Sequence, residues 1–178
     1  MVAILLFVLP SFALASPPII QACSNYGCKH KVSVQLSKKG WRRLQQLFAG
    51  AASTPEQERR RIADAIALME TLVGDKTGTA ADQARNGGTG EPGQLDCIAE
   101  SLNTNRYLKL FAKKGWLKWH RVAERVKRSP WIFDVHWSAV IEEKASGRQF
   151  TVDSWFFANG RPPYIQPLAD WKAKRDPN

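Results

Sequence analysis

Gly93-Gln94-Leu95-Asp96-Cys97-Ile98 is the stretch whose reading decides the fold. Apolar residues follow it at Ile98, Leu102, Leu108, Phe111 and Ala112, and Gly115 ends the run. This spacing predicts a helix from Ile98 to Lys114, with Asp96 as its cap and Lys113 and Lys114 suited to its C-terminal end. Cys97 then sits in the first turn. The free N–H groups and positive dipole end there favour a thiolate. They can also hydrogen-bond an oxyanion.

Working outward toward the C-terminus, two alternating segments follow. Val135-His136-Trp137-Ser138-Ala139-Val140-Ile141 and Phe150-Thr151-Val152-Asp153-Ser154-Trp155 read as strands, and Gly147 lies in the loop between them. Two registers are compatible with that loop. One pairs His136 directly with Asp153 and Glu142 with Gly147; the other leaves His136 and Asp153 as diagonal neighbours. Both put the two side chains on one face, whereas a slip by one residue separates them. A thiolate that attacks, an imidazole that moves the proton and a carboxylate that fixes the tautomer can therefore come from Cys97, His136 and Asp153.

On the N-terminal side, Gly74 to Gly93 reads as loop, with Pro92 and several glycines but no Lys-Ser/Thr of a phosphate-cradling loop. Before it, Thr54 as N-cap, Pro55 at the first position and Gln57 completing a capping box open a helix. Its apolar face carries Ile62, Ile66, Met69 and Val73. Arg59-Arg60-Arg61, beside Glu56 and Glu58, is read as a solvated, partly paired face. Trp41, Leu44, Leu47 and Phe48 mark a shorter amphipathic helix ending by Gly50. Val32, Val34 and Leu36 suggest a strand within Lys29 to Leu36, and Ser16-Pro17-Pro18 reads as linker. The expected architecture is α+β: N-terminal helices, a central Cys-bearing helix, and an antiparallel sheet of about three to five strands packed on it.

The chain has 178 residues, 44% hydrophobic and 24% charged, which suits a globular protein and excludes wholesale disorder. Its formal charge is +10, spread along the sequence, and favours anionic surroundings. Met1 to Leu9 is apolar, Pro10 and Ser11 break the run, and Ala13-Leu14-Ala15 forms a cleavage site. Residues 1–15 are expected to be a signal peptide, too short to span a membrane. Residues 16–178 are then one periplasmic or extracellular domain, with no transmembrane segment in the mature chain. A lipidation site at Cys23 is the alternative, which Gln21 fits poorly. In an oxidising compartment Cys23 and Cys28 can close a local disulfide and leave Cys97 free. A bond from Cys97 to either of them would remove the nucleophile.

The order of Cys97, His136 39 residues on and Asp153 a further 17 on resembles the transglutaminase-like superfamily, a branch of the papain-like cysteine enzymes. The matching pieces are Asp96-Cys97 with its helix to Leu110, His136-Trp137-Ser138-Ala139-Val140 and Val152-Asp153-Ser154-Trp155, about residues 93–157. The resemblance implies Cys97 as nucleophile, His136 as base and Asp153 as the residue that orients it. It departs upstream, where no side-chain oxyanion donor is assigned. Gln94 stands only three residues before Cys97, and Trp116 and Trp131 are the other candidates.

Other assignments compete. Cys97 can be a buried structural thiol, and His120 is a rival base. Cys23, Cys28 and His30 lack a fourth ligand for zinc, so no metal is assigned and no cofactor is required. Most of the C-terminal tryptophans must pack, but Trp137 and Trp155 are candidates to line a substrate cleft. Asn159-Gly160-Arg161-Pro162-Pro163 reads as a turn followed by extended chain, and the tail from Lys172 as frayed. The leading function is an exported cysteine hydrolase or acyl transferase acting on peptide or cell-wall peptide amide bonds. The alternative is a non-enzymatic secreted binding protein that keeps the fold and turns its basic, aromatic surface to an anionic partner. Nucleic acid has only the net charge in its favour, and export argues against it.

Overall fold

The computed structural model describes residues 17–87, 90–129 and 135–178. The expected signal peptide and Trp131 lie outside the described residues. The architecture is α+β. A small antiparallel hairpin, β1 (Ile19–Cys23) with β2 (Lys31–Gln35), precedes three helices: α1 (Lys38–Leu47), α2 (Pro55–Thr77) and α3 (Cys97–Lys113). A second sheet follows, formed by β3 (His120–Arg128), β4 (His136–Glu143), β5 (Gln149–Asp153) and β6 (Tyr164–Pro167). Its strand order is β3-β4-β5-β6, all neighbours antiparallel, and a short helix α4 (Leu168–Lys172) closes it. No helix among the described residues is long and apolar enough to cross a membrane.

The caps explain the helix starts. Ser37 Oγ accepts from the Gly40 N–H, so α1 begins three residues before Trp41. Thr54 Oγ1 accepts from the Gln57 N–H, while the Gln57 side chain takes the Ser53 N–H at 2.6 Å. Asp96 accepts from the Ala99 N–H at 2.9 Å and starts α3 at Cys97. Helix α2 runs through Gly74, where the sequence suggests loop, and stops at Gly78 in the left-handed conformation. Gly74 is there for space, because a Cβ would come within 2.9 Å of Asn159 Nδ2 and 3.1 Å of the Ala80 backbone.

The core lies between the helices and one face of the second sheet. Ile62, Ile66 and Met69 of α2 and Leu108 and Phe111 of α3 pack with Ala139, Ile141, Phe150 and Val152. Strand alternation turns His136, Ser138, Thr151 and Asp153 to the opposite face. The first hairpin buries Ile20, Ala22 and Val34 in the same core. Strand β1, unforeseen in the sequence, is made by residues whose alternation is visible only once β2 pairs with it. Its Cys23 is bonded to Cys28, which takes the sulfur that lipidation would need.

The Arg59-Arg60-Arg61 run is in part the solvated, paired face expected of it, with Arg60 exposed and Arg59 bonded to Glu56 at 2.8 Å, but Glu58 and Arg59 also turn inward. Glu58 is buried and accepts from the N–H groups of Lys118, Trp119 and His120 and from the His120 ring. Arg59 lies 4.0 Å over the Phe150 ring and reaches His120 Nε2 and Glu143. A carboxylate that satisfies several backbone donors at once can be buried where an unpaired one cannot. Trp116, a candidate oxyanion donor, stacks on Phe48 and packs against Trp41 at the far end of α3.

Candidate active site

The sequence places a thiol at the start of α3, and the fold brings the start of β4 to it. Cys97 is half-buried, is the free cysteine of the chain, and its Sγ–H points to the Val135 carbonyl at 3.7 Å. The next side chain along, His136, hydrogen-bonds Asp153 and lies close enough to Cys97 for the thiol to help raise the imidazole pKa. Its Nε2 lies 2.8 Å from Asp153 Oδ2, which leaves Nδ1 to face the thiol. The strand register decides this: Ala139 pairs with Val152, so His136 and Asp153 are the diagonal neighbours of the second compatible register.

Asp153 is held by a further donor, the Trp171 indole N–H, at 2.7 Å from Oδ2. Trp171 also packs 5.6 Å from the His136 ring, with Trp155 and Phe156 at 4.6 and 5.4 Å. Burial disfavours the charged imidazole. The hydrogen bonds to Asp153 and Cys97 outweigh it and hold His136 at about 9, above its ordinary 6.5. Trp171 was invisible as a site residue in the sequence, since a tryptophan after a Pro-rich turn carries no signal of where its N–H will point.

The first turn of α3 is braced from outside. Both Asp96 carboxylate oxygens accept from the Gly27 N–H at 3.0 Å, so the disulfide-closed loop between Cys23 and Cys28 docks on the cap. Asn103 of α3 bonds the Cys23 N–H and carbonyl, and Arg106 donates to the Cys23 sulfur. Asp96 takes the Ala99 N–H with its side chain and the Glu100 N–H with its carbonyl. Helix geometry leaves the Cys97 and Ile98 N–H groups without an intrahelical acceptor, at the sulfur. Gln94 is not such a donor. Its amide N–H goes to the Ala81 carbonyl, and its oxygen accepts from Gln83 N–H and the Asn86 side chain.

A cleft of about 440 Å³ opens at Cys97 and His136 and is lined further by Arg85, Arg128, Trp155 and Asp176. Trp155 is fixed there by an indole bond to the Asn86 carbonyl at 2.9 Å. Trp137 turns to the other face of β4, where the Arg125 guanidinium lies 4.8 Å over its ring, outside this cleft. His120, the rival base, pairs with Glu143 at the opposite end of the sheet from His136, which pairs with Arg128. Seven residues of β4 separate the two positions, about 23 Å. His30 bonds Ser24 Oγ at 2.7 Å, and no group of His, Cys, Asp or Glu able to hold a metal occurs among the described residues.

Behind Cys97, His136 and Asp153 lies a buried carboxyl cluster that the sequence did not announce. Glu70 of α2, Asp82 of the following loop and Glu100 of α3 are all buried, and Asp82 and Glu100 hydrogen-bond each other. Burial pushes the Glu100 carboxyl well up, and the charges of Glu70, Asp82 and Asp153 add to it. Burial likewise raises Asp82. Asp82 accepts from the Leu95 N–H at 2.9 Å, and Glu70 from the Gly160 N–H at 3.1 Å. The Ser154 hydroxyl, next to Asp153, bonds both Glu70 and Thr104. The cluster thereby ties together the loop before Cys97 and the loop after Asp153.

No family model, no curated protein and no solved structure matches this chain.

Proposed function

We propose that this protein is an exported cysteine hydrolase or acyl transferase acting on amide bonds of peptides or cell-wall peptides, with the transglutaminase-like arrangement its sequence resembles. One observation carries it: His136, bonded to Asp153, lines the same cleft as Cys97, whose thiol sits at a helix N-terminus and helps raise the imidazole pKa. The Cys97 sulfur adds to the amide carbonyl, and the Cys97 and Ile98 N–H groups receive the oxyanion. His136 gives the leaving amine its proton, which yields an acyl-thioester. Water or a second amine, deprotonated by His136, then takes the acyl group and restores the thiol. Asp153, fixed by Trp171, holds the ring so that Nδ1 faces sulfur throughout. The Cys23–Cys28 disulfide suits an oxidising compartment and supports export.

Labelling with a thiol-directed electrophile, followed by identification of the modified residue, tests this. Cys97 is expected to be the modified residue, and Cys97→Ala to fold normally and take no label. Equal labelling of the wild type and that variant refutes the nucleophile. A folded protein whose Cys97 is inert favours the secreted binding protein.

A further inference from the structure

One cation of the cleft is placed by an irregularity of the sheet. Strand β3 carries an extra residue between Ala123 and Val126, and this shift brings Arg128 opposite His136. Without the bulge Arg128 would fall on the other face of the strand. Arg128 is buried, its guanidinium lies 4.6 Å over the Trp171 ring, and it lines the same cleft as Cys97. A buried guanidinium needs a carboxylate or several carbonyls to be tolerated. Here the carboxylate comes from the segment after α4. Asp176 bonds Arg128 in fork geometry, at 2.8 and 2.6 Å, and the Trp171 carbonyl takes a further hydrogen.

The same segment is anchored again on the cleft's other wall. Arg85, whose N–H donates to the Trp155 carbonyl at 2.7 Å, donates from its guanidinium to the Pro177 carbonyl. Lys174, at φ 57°, turns the chain out of α4 toward the cleft, where Lys174 and Asp176 form part of the lining. Residues 174–178 are therefore a strap held across the cleft by two arginines, and not the frayed tail the sequence suggests. The groups the strap offers are a carboxylate and a backbone carbonyl, those of an acidic peptide.

We infer that Arg128 is the carboxylate-recognition residue of this cleft, and that Asp176 of the strap occupies the position of a substrate carboxylate close to the scissile amide. The inference rests on the Cys97–His136–Asp153 reading and adds the substrate class: a peptide with an acidic group beside the bond that is cut. It also gives the charge of +10 a use, since a positive protein draws anionic peptides toward the cleft. A substrate must displace Asp176 from Arg128, so the strap holds back non-acidic peptides more than acidic ones.

The test compares two reagents of nearly equal size, iodoacetate and iodoacetamide, by their rates of Cys97 alkylation in the full chain. Asp176→Asn frees Arg128 and is expected to raise the iodoacetate-to-iodoacetamide rate ratio about tenfold, the equivalent of one charge-assisted hydrogen bond. Adding Arg128→Gln to that variant is expected to cancel the rise. Asp75→Asn, on the exposed side of α2, makes the same change of net charge and is expected to leave the ratio alone. An unchanged ratio in Asp176→Asn overturns the inference while the nucleophile stands, because iodoacetamide still labels Cys97. A rise that survives Arg128→Gln, or that Asp75→Asn reproduces, also overturns it. Failure of iodoacetamide to label wild-type Cys97 overturns the nucleophile and the inference together.

Discussion

Replacing Glu70 by Gln perturbs the buried carboxyl cluster at the member contributed by α2. Burial pushes this carboxyl from the ordinary 4.5 up to about 7, and the nearby Asp82 charge adds to the rise. Hydrogen bonds from the Ser154 hydroxyl and the Gly160 N–H pull the other way without prevailing. Glu70 Oε1 has no hydrogen-bond partner among the described residues, so ionisation would leave charge on a dry, unsatisfied oxygen. Between pH 4.5 and 7 the folded state keeps a proton that the unfolded state has released. Stability therefore falls as pH rises through that window, and the full loss is present above it. The shift corresponds to about 3 kcal/mol. Gln mimics the protonated carboxyl, keeps an acceptor for Gly160 and cannot ionise. The variant is expected to match the wild type at pH 5 and to exceed it at pH 8, by about 6–12 °C in Tm for a domain of this size. Thermal unfolding followed by tryptophan fluorescence at the two pH values measures this. Glu100 and Asp82 tilt the wild-type profile in the same direction, so the quantity to read is the difference between the proteins at each pH. A difference that is the same at pH 5 and pH 8 refutes the reasoning, since Glu70 would then carry the same charge in both.

Asp153→Asn is expected to bring the His136 titration down from about 9 toward its ordinary value, read by NMR of the imidazole, and to slow Cys97 alkylation. Because the folded value is raised above 6.5, the stability that pairing supplies is fully present below pH 6.5 and lost as pH rises through 9. The wild type should accordingly outlast Asp153→Asn at pH 6 and lose that advantage near pH 10. Glu58→Ala strands three backbone N–H groups and the His120 ring, and is expected to cost about 3 kcal/mol or more in chemical denaturation. Burial opposes the Glu58 charge, but the His120 ring and the backbone donors outweigh it and hold its carboxyl below the ordinary range, so this stability is lost as pH falls through the lowered value. Replacing Cys23 and Cys28 together by Ala should cost about 2 kcal/mol, from the short loop they close, and slow Cys97 alkylation by loosening the Asp96 cap; denaturation and labelling rates measure the two effects.

Local chemistry made much of this legible before any tertiary contact is considered. A capping side chain needs only an N–H a few residues away, so Thr54, Asp96 and the glycine at Gly115 mark element ends from the sequence alone, whereas α2 outruns the loop expected from Gly74 and ends at Gly78. Alternation with period two revealed β4 and β5, and the loop length reduced their pairing to two registers. The sequence thus determined that Cys97 opens a helix and that His136 and Asp153 share a face.

Tertiary structure decided everything that depends on residues far apart in the chain. The structure adopts the register with Ala139 opposite Val152, a choice that no local spacing expresses. Glu58 and Arg59 look solvated in sequence because their partners, His120 and Phe150, lie some 60 to 90 residues away. The same holds for Trp171 on Asp153, for the Glu70, Asp82 and Glu100 cluster, and for Asp176 on Arg128. The physical reason is that a short-range rule can place a charge on a helix or strand, but whether that charge meets water or a partner depends on what packs over it. Cys97 therefore stood out in the sequence, whereas the tryptophan that holds Asp153 and the strap that covers the cleft emerged only when the chain closed on itself.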